Sequence, residues 1–307
     1  MRLFRLKIIL VLICVLLSSC SKYKQKVSLL LDWLPNPNHI PLFVGEEKGF
    51  FQEEGIDLSI LQLVDPPSAI PYLESKQVDL VLYYTPYTLL ALGRENNLRL
   101  VATLIQEPLD GVLYLPNVEE RRLATFSGPF ASFYTKSLAE KGVFFKETKK
   151  IEVDPLVALM TGLVEGVSGV YWNVEPILLN SLGKESSFIK VTDLGFPFYP
   201  ELIIVTREDF LAAHPAFSSK FQRALQRSID FCRAYPEEAF SLYLERYPTK
   251  KNKAFAWEYD SWKATLPVFS SNQVIQKETF LNMAHWMEER SLLKEGQADV
   301  LQFLEHF

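Results

Sequence analysis

Short apolar runs alternate with helical patterns along most of the chain. The runs VSLLLDW, IDLSIL, VDLVLYY and RLVATLI have the length and the branched apolar content typical of strands. Helical segments are predicted between them near 41–53, 66–76 and 86–95. Because strands that alternate with helices usually form a parallel sheet with crossover helices, this part of the chain is predicted to be α/β.

The same alternation resumes after a connection near 116–121 that contains proline and charged residues. The predicted order there is the strand RLATF, a helix near 130–141, a strand near 150, the helix DPLVALMTGLVEG, and the strands VSGVYW and IKVTDL. The run ELIIVT then leads into a long helical C-terminal part. This order predicts two α/β lobes, the second inserted into the first, with chain crossings near 116–121 and 195–202.

The predicted boundaries follow from this order. A segment removed from the N-terminus would cover residues 1–19, and lobe 1 would begin with residues 20–115. Lobe 2 would comprise residues 116–201, and residues 202–307 would complete lobe 1 and add C-terminal helices. A pair of lobes of this kind encloses a cleft in which a small ligand binds.

The first residues have the composition of a signal peptide. Arg2, Arg5 and Lys7 precede the apolar run IILVLICVLL, which is too short to anchor the chain across a bilayer. The run ends in Leu-Ser-Ser-Cys, which resembles the lipobox of bacterial lipoproteins. The resemblance implies that Cys20 is acylated and becomes the new N-terminus, so we expect a lipid anchor at the cell envelope, facing the periplasm or the exterior. The alternative is an ordinary secreted protein in which Cys20 occurs by chance.

Composition and charge exclude several classes of protein. With 48% hydrophobic and 22% charged residues the chain is typical of a globular protein. The net charge is −5 and no stripe of Lys and Arg alternates with aromatic residues, so no nucleic-acid partner is expected. Once Cys14 is removed and Cys20 carries lipid, Cys232 is alone, so neither an intrachain disulfide nor a thiolate metal site is expected.

The common catalytic motifs are missing from the sequence. It contains no GxSxG, no GxxxxGK[ST] and no CxxC, and the glycines of GLVEGVSG do not fit GxGxxG. The four histidines show no metal-ligand spacing. We therefore expect no cofactor and no metal, although a hydrolase whose catalytic residues are scattered along the chain stays open as an alternative.

Polar and aromatic side chains follow three predicted strands at the point where each strand ends. These residues are Trp33, Asn36, Asn38 and His39 after the first strand, Tyr84 and Tyr87 after the third, and Tyr171, Trp172 and Glu175 after the strand VSGVYW. Ligands of open α/β sheets bind at the carboxyl ends of strands. We therefore expect the three groups to meet in the cleft between the lobes.

Two of these segments resemble the thiamin-pyrimidine-precursor family. LDWLPNPNHIPLFVGEEKGFFQEEGIDLSI is similar to the N-terminal segment of that family, LDW-x-PN-x-NH followed by a GYF-x-EEG-type helix end. GVYWNVEPILL resembles its aromatic-Trp-Asn-x-Glu-Pro segment, and EDFLAAHPAFSSKFQRALQRSIDFCRAYPEEA is similar to a segment of many binding proteins of ABC importers. The resemblance implies a two-lobed type II periplasmic-binding-protein fold and a protein that delivers an aminopyrimidine-type thiamin precursor to ABC transporter permease subunits. Together with the lipobox-like N-terminus, it predicts a lipid-anchored binding protein.

The same family includes a eukaryotic enzyme that builds the pyrimidine from its own histidine and pyridoxal phosphate. That branch carries a cysteine cluster assigned to iron, and around GFPFYPEL, where the cluster is expected, this chain has no cysteine. We therefore expect binding without catalysis. YYTPY departs from the family's Ser-Tyr-Gln-Pro-Glu pattern at Thr85 and Tyr87, so a riboflavin-like ring or a sulfonate stays open as the ligand.

The predicted ligand contacts combine stacking rings with polar groups that face a flat heterocycle. They are Trp33, Asn38, His39, Tyr84, Ser127, Tyr171, Trp172 and Glu175. The rings are expected to cover the faces of the ligand, and Glu175 is expected to accept hydrogen bonds from an exocyclic amine and a protonated ring nitrogen.

Several of these residues also have a structural explanation. Trp33 is equally able to pack on the core, and His39 to act as a hydrogen-bonded structural residue. The turn that contains Ser127 is common in proteins of every kind. Glu175 is also placed to cap the helix that opens at Pro176.

Overall fold

The computed structural model describes residues 24–62, 69–94, 97–119, 121–125, 129–150 and 154–305. The predicted signal peptide, Cys20 and Ser127 lie outside these ranges. Within them, no helix combines the length and the apolar character that a membrane span requires.

Over the described residues the framework is two five-stranded sheets. The first contains β1 (Gln25–Leu30), β2 (Ile56–Leu61), β3 (Leu80–Tyr84), β4 (Leu98–Ile105) and β10 (Leu202–Arg207), in the order β2-β1-β3-β10-β4. The second contains β5 (Asp110–Tyr114), β6 (Arg122–Thr125), β7 (Glu147–Lys150), β8 (Gly166–Tyr171) and β9 (Ser187–Lys190), in the order β7-β6-β8-β5-β9. The two sheets confirm the predicted two-lobed α/β class.

Each sheet is mixed, whereas the sequence predicted parallel pairing. β1 pairs in parallel with β2 and β3, and β6 with β7 and β8. β10 runs antiparallel to β3 and β4, and β5 runs antiparallel to β8 and β9. β5 and β10 are the first strands after the chain changes lobe, which is why each enters its new sheet in the opposite direction.

Helices pack around both sheets. Those of lobe 1 before the first crossing are α1 (Ile40–Glu47), α2 (Phe50–Glu53), α3 (Ile70–Glu74) and α4 (Thr85–Leu92). Lobe 2 contains α5 (Ala131–Glu140), α6 (Pro155–Met160) and α7 (Glu175–Ser181). The C-terminal part contains α8 (Glu208–Ala213), α9 (Phe217–Ala234), α10 (Pro236–Arg246), α11 (Trp257–Thr265), α12 (Lys277–Glu289) and α13 (Val300–Phe303).

The first crossing between the lobes lies earlier than the sequence suggested. β4 ends at Ile105 in the first sheet and β5 begins at Asp110 in the second, so the chain crosses at 106–109 rather than near 116–121. β5 is absent from the sequence prediction because its apolar stretch is short and lies between Pro108 and Pro116. The return crossing lies between β9 and β10, at 191–201.

The lobes share an apolar contact beside the cleft, formed by α12 of lobe 1. The ring of Trp286 stacks on Phe196 of the return crossing with centroids 4.5 Å apart, and meets Phe133 of lobe 2 edge-on at 4.8 Å. The indole Nε1 of Trp286 donates to the carbonyl of Gly195 at 2.8 Å. Burying a ring such as Phe196 contributes about 1.5–3 kcal/mol, so this contact fixes one side of the cleft.

Candidate functional site

The loop after β1 is shaped by a capping box at Asn36. Its side chain accepts the backbone N–H of Asn38 at 2.9 Å, and its own backbone N–H donates to Nδ1 of His39 at 3.3 Å. Nε2 of His39 lies 2.8 Å from Oδ1 of Asp32, and the His39 ring is fully buried. Because Nδ1 accepts a hydrogen bond, Nε2 carries the proton and donates it to Asp32. His39 therefore orients Asp32 and has both ring nitrogens engaged by the protein.

Tyr84, the last residue of β3, brings an aromatic ring to the same place. Its hydroxyl is hydrogen-bonded to the Asp32 carboxylate, and burial, followed by the charge of Asp32, raises the pKa of that hydroxyl well above its ordinary value. The Tyr84 ring meets Tyr171 of lobe 2 edge-on with centroids 6.4 Å apart. Beside it, the ring of Tyr87 in lobe 1 meets the ring of Phe130 in lobe 2, with centroids 5.4 Å apart. Aromatic side chains from both lobes thus line the cleft.

Asn38 lies in a buried polar contact between the lobes. Its Oδ1 accepts a hydrogen bond from Nδ2 of Asn173 at 2.7 Å, and the same Nδ2 lies 2.6 Å from Oγ1 of Thr265. All three side chains are 0% exposed. Asn173 follows β8 in lobe 2, whereas Asn38 and Thr265 belong to lobe 1, so these amides join the two walls of the cleft.

Tyr171 is the last residue of β8 and Trp172 directly follows it, and the two side chains contact different neighbours. Tyr171 faces Tyr84 across the cleft. Trp172 lies on the first crossing, where its Nε1 donates to the carbonyl of Pro108 at 3.3 Å, and Nζ of Lys190 sits 4.7 Å above its ring. The structure thus places Tyr171 in the cleft and Trp172 against the first crossing.

Glu175 ties the end of β8 to the start of α7. Its Oε2 accepts the backbone N–H of Tyr171 at 2.7 Å, and its own backbone N–H provides a second hydrogen bond. Burial outweighs these bonds and raises the pKa of Glu175 to about 7. Val174 occupies the N-cap position of α7 and makes no side-chain cap bond. Glu175 is therefore close to its titration point at neutral pH.

Two carboxyls at the crossings, the buried Glu201 and the half-buried Asp110, were not predicted from the sequence. Glu201 precedes β10, is 2% exposed, and uses Oε2 to accept the backbone N–H groups of Leu109 at 2.8 Å and Asp110 at 3.2 Å. The hydroxyl of Tyr134 donates to Oδ2 of Asp110 at 2.6 Å. Burial raises the pKa of both Asp110 and Glu201, and Asp110 adds to the rise at Glu201. Glu201 thereby fastens one crossing segment to the other.

The cleft concentrates acidic side chains, which become negatively charged when they ionise. Among the described residues, the charges that act most strongly on Glu201 are Asp110 and Asp32, and those on Glu175 are Asp154 and Asp110. Tyrosine hydroxyls, at Tyr84, Tyr134, Tyr171 and Tyr199, lie among these carboxyls. Carboxylates accept hydrogen bonds and attract cations, so this arrangement suits a ligand with N–H donors. Across the described ranges, no cluster of three His, Cys, Asp or Glu side chains has the geometry of a metal site.

The remaining predicted contacts are less defined. Trp33 is half-buried in the loop after β1, and its role as a stacking face stays a prediction. Ser127 lies outside the described residues. Asp110 and Glu201 left one weak signal in the sequence, an acidic residue directly before a short apolar run, in DGVLY and in ELIIVT.

The raised carboxyl pKa values predict how stability depends on pH. Glu175 titrates at about 7 in the folded protein, whereas an unfolded chain loses that proton at about 4. Between these pH values the folded state retains a proton that the unfolded state has lost. The contribution of Glu175 to the free energy of unfolding is therefore fully present below about pH 4 and is lost as the pH rises through about 7. We expect the melting temperature of the ligand-free protein to fall over this window, and Glu175→Gln and Glu201→Gln each to flatten the fall.

Glu54→Gln is the matched control for that measurement. Glu54 pairs with Arg223 on the surface, and the hydrogen bond from Arg223 lowers its pKa. Its replacement should therefore leave the slope at neutral pH unchanged. A slope that is the same in all four proteins would show that the buried carboxyls do not control it.

Two curated relatives align with most of the chain. A formylaminopyrimidine-binding protein of Halalkalibacterium halodurans is 27% identical over 257 residues, 78% of each chain. A 4-amino-5-hydroxymethyl-2-methylpyrimidine phosphate synthase of Saccharomyces cerevisiae is 26% identical over 278 residues, 81% of this chain and 78% of the yeast protein. The relatives thus include both a binding protein and an enzyme.

Solved structures share the fold. The periplasmic aliphatic sulphonate binding protein of Escherichia coli superposes with a TM-score of 0.68 at 13% identity, covering 91% of this chain and 97% of that protein. The architecture is therefore that of the periplasmic binding proteins. The NMT1/THI5-like family model matches residues 36–239, which include the end of the loop after β1, both crossings and every carboxyl of the cleft except Asp32. The chain belongs to the NMT1/THI5-like family.

Proposed function

We propose that this protein is a solute-binding protein that captures a small planar aminopyrimidine related to thiamin precursors and delivers it to the permease of an ABC importer. The observation that carries the proposal is the concentration of buried carboxyls and tyrosine hydroxyls in the cleft, with other carboxyls as the strongest charges acting on Glu175 and Glu201. Such a site attracts N–H donors and protonated ring nitrogens and repels anions.

The aromatic side chains support a flat ligand. The rings of Tyr84 and Tyr171 come from different lobes and meet edge-on at 6.4 Å, so a planar ring that packs against this pair contacts both lobes at once. By analogy with base stacking, each such ring contact is worth about 1–3 kcal/mol. A ligand that touches both lobes stabilises their closed arrangement.

The relatives support a pyrimidine rather than a sulfonate. The Halalkalibacterium halodurans relative is named for binding formylaminopyrimidine. The sulphonate binding protein shares only the fold, at 13% identity. A sulfonate in this cleft would oppose the ionisation of Asp110 and Glu201, whose pKa values are already raised, because its negative charge would lie beside them. The same repulsion disfavours other anions.

The yeast relative supports a second candidate, a pyrimidine-forming enzyme. For this chain we propose binding without catalysis, because GFPFYPEL contains no cysteine and Cys232 is fully buried in the core of lobe 1, where burial raises the pKa of its thiol. Metal analysis of the purified protein separates the two candidates. Stoichiometric iron together with pyrimidine phosphate formation would replace the binding proposal by the enzymatic one.

The lipid anchor is part of the proposal and rests on the sequence alone. We expect Cys20→Ala to abolish fatty-acid labelling, because the acylated thiol is lost, and to release the protein from the membrane fraction. Wild-type protein should carry the label and sediment with membranes. Palmitate incorporation that persists in the variant would refute the lipid anchor without affecting the binding proposal.

Calorimetry tests the proposed function. We expect the protein to bind 4-amino-5-hydroxymethyl-2-methylpyrimidine, and to bind the analogue without the 4-amino group far more weakly, because that analogue leaves a buried carboxyl unpaired. An alkanesulfonate serves as the anionic control and should not bind. Small-angle scattering should show a slightly smaller radius of gyration with the aminopyrimidine. Binding of the sulfonate instead would overturn the proposal.

A further inference from the structure

The contact between Asn38 and Asn173 leaves Nδ2 of Asn38 and Oδ1 of Asn173 without a hydrogen-bond partner among the described residues. Two further polar atoms of the cleft also have no partner there although both are shielded from solvent. They are Oδ1 of Asp110 and the hydroxyl of Tyr171. Asp110 and Tyr171 are directly paired residues of the antiparallel strands β5 and β8. Because directly paired residues place their side chains on the same face of a sheet, both atoms lie on one face of lobe 2.

That face is turned toward lobe 1. The Tyr171 ring meets Tyr84 of lobe 1, and the charges of Glu201 and Asp32 act on its hydroxyl. A buried polar atom without a partner is destabilising, because it has lost its hydrogen bonds to water. Two such atoms side by side in a cleft therefore indicate a position where a further group completes the hydrogen bonds.

Asp110 is held in a fixed orientation by its neighbours. Tyr134 donates to its Oδ2 at 2.6 Å, and Glu201 accepts its backbone N–H at 3.2 Å. Glu201 is held in turn by the backbone of Leu109 and by the hydroxyl of Tyr199. The backbone N–H groups of Gly111 and Gly169 also point at the carboxyl and lower its pKa. These contacts fix the carboxyl and leave Oδ1 as a preoriented acceptor, and fixed orientation of this kind is what a binding residue requires.

We propose that Asp110 Oδ1 and the Tyr171 hydroxyl form a second polar contact for the ligand, separate from Glu175, that binds an N–H-bearing, positively charged side group such as an aminomethyl group. This inference rests on the proposed function and specifies its ligand further: the ring carries hydrogen-bond donors on two edges. Glu175 binds the amine of one edge, and Asp110 binds the side group of the other. Glu201 and Tyr134 are positioning residues, because they act on the ligand only through Asp110.

The test compares two ligands that differ only in that side group, 4-amino-5-aminomethyl-2-methylpyrimidine and 4-amino-2,5-dimethylpyrimidine. Wild-type protein should bind the aminomethyl compound about 10- to 100-fold more tightly, the range of a charge-assisted hydrogen bond. Asp110→Asn should abolish this preference and Tyr171→Phe should reduce it. A preference that survives both substitutions, or that is absent from wild-type protein, would overturn the inference while aminopyrimidine binding itself stands.

Tyr114→Phe is the matched control, because Tyr114 lies at the other end of β5 and packs on Phe145 away from the cleft. It should keep the full preference. Melting temperatures show whether each variant folds. If Asp110→Asn does not fold, Tyr171→Phe still tests the inference.

A probe from another chemical class separates failure of this inference from failure of the proposed function. If wild-type protein binds neither pyrimidine, the proposed function fails, and benzamidine is titrated into wild-type protein and Asp110→Asn. Benzamidine binding that is lost in the variant would support the cationic contact at Asp110 without a pyrimidine ligand. No binding of benzamidine would overturn the contact as well.

Discussion

His39→Ala is expected to lower the free energy of unfolding by about 3–5 kcal/mol, because it leaves a cavity in place of a fully buried ring and removes a hydrogen bond to Asp32. His39 is 0% exposed, and its Nε2 lies 2.8 Å from Oδ1 of Asp32, which is itself 5% exposed. Removal of the ring leaves the Asp32 carboxylate with one donor fewer and leaves Asn36 without the acceptor for its backbone N–H. Thermal unfolding should show a fall on the order of 10 °C.

His285→Ala is the control for that loss. His285 pairs with Glu288 on the surface of α12, and its side chain is 73% exposed, so its removal should change the free energy of unfolding by no more than about 0.5 kcal/mol. If His39→Ala instead melts like wild-type protein and loses ligand affinity, His39 contacts the ligand directly and the structural role fails.

Glu175→Gln is expected to weaken aminopyrimidine binding by about 1.5–3 kcal/mol, the contribution of a charge-assisted hydrogen bond. Burial raises the pKa of Glu175 to about 7, so a ligand that brings a positive charge or a paired N–H edge favours the ionised form that binds it. In the wild-type protein Oε2 of Glu175 accepts the backbone N–H of Tyr171 at 2.7 Å, and Gln retains an oxygen that accepts the same N–H. The connection between β8 and α7 should therefore persist, and calorimetry should show the loss with little change in folding.

Glu175→Ala and Glu165→Gln complete the comparison. The alanine variant removes both the charge and the acceptor for Tyr171, and should lower melting temperature as well as affinity. Glu165 pairs with Arg122 at the edge of lobe 2, away from the cleft, and its replacement should leave affinity intact. If Glu175→Gln lowers the melting temperature and leaves affinity nearly unchanged, Glu175 acts only on the β8–α7 connection.

The two-lobed fold was predictable because its parallel strands and crossover helices repeat a local pattern. The mixed pairing was not, because the direction of a strand depends on where the chain enters the sheet. β5 shows this most clearly: its run GVLY is short and is flanked by Pro108 and Pro116, and its strand character comes from pairing with β8 and β9 on both sides. The first crossing was consequently placed too late along the chain.

The candidate site was predictable where a residue follows a strand. Tyr84 and Tyr171 end β3 and β8, and their rings meet across the cleft. Asp110 and Glu201 lie far apart in sequence and are brought together only when both crossings lie side by side, so no local pattern reveals them. Asn173 is a similar case, since its partner Asn38 belongs to the other lobe. The ligand roles of Trp33, Asn38, Trp172 and Ser127 stay predictions.

Mass spectrometry of the purified protein shows whether the cleft holds a small aminopyrimidine as cargo. The protein is first weighed under native conditions, and then the small molecule released by denaturation is identified. We expect the mass of the released molecule to match a pyrimidine with an exocyclic amine, at up to one molecule per chain. The same molecule should be absent from protein that has been washed free of ligand. A released sulfonate or other anion, or a pyrimidine phosphate accompanied by stoichiometric iron, would contradict the account.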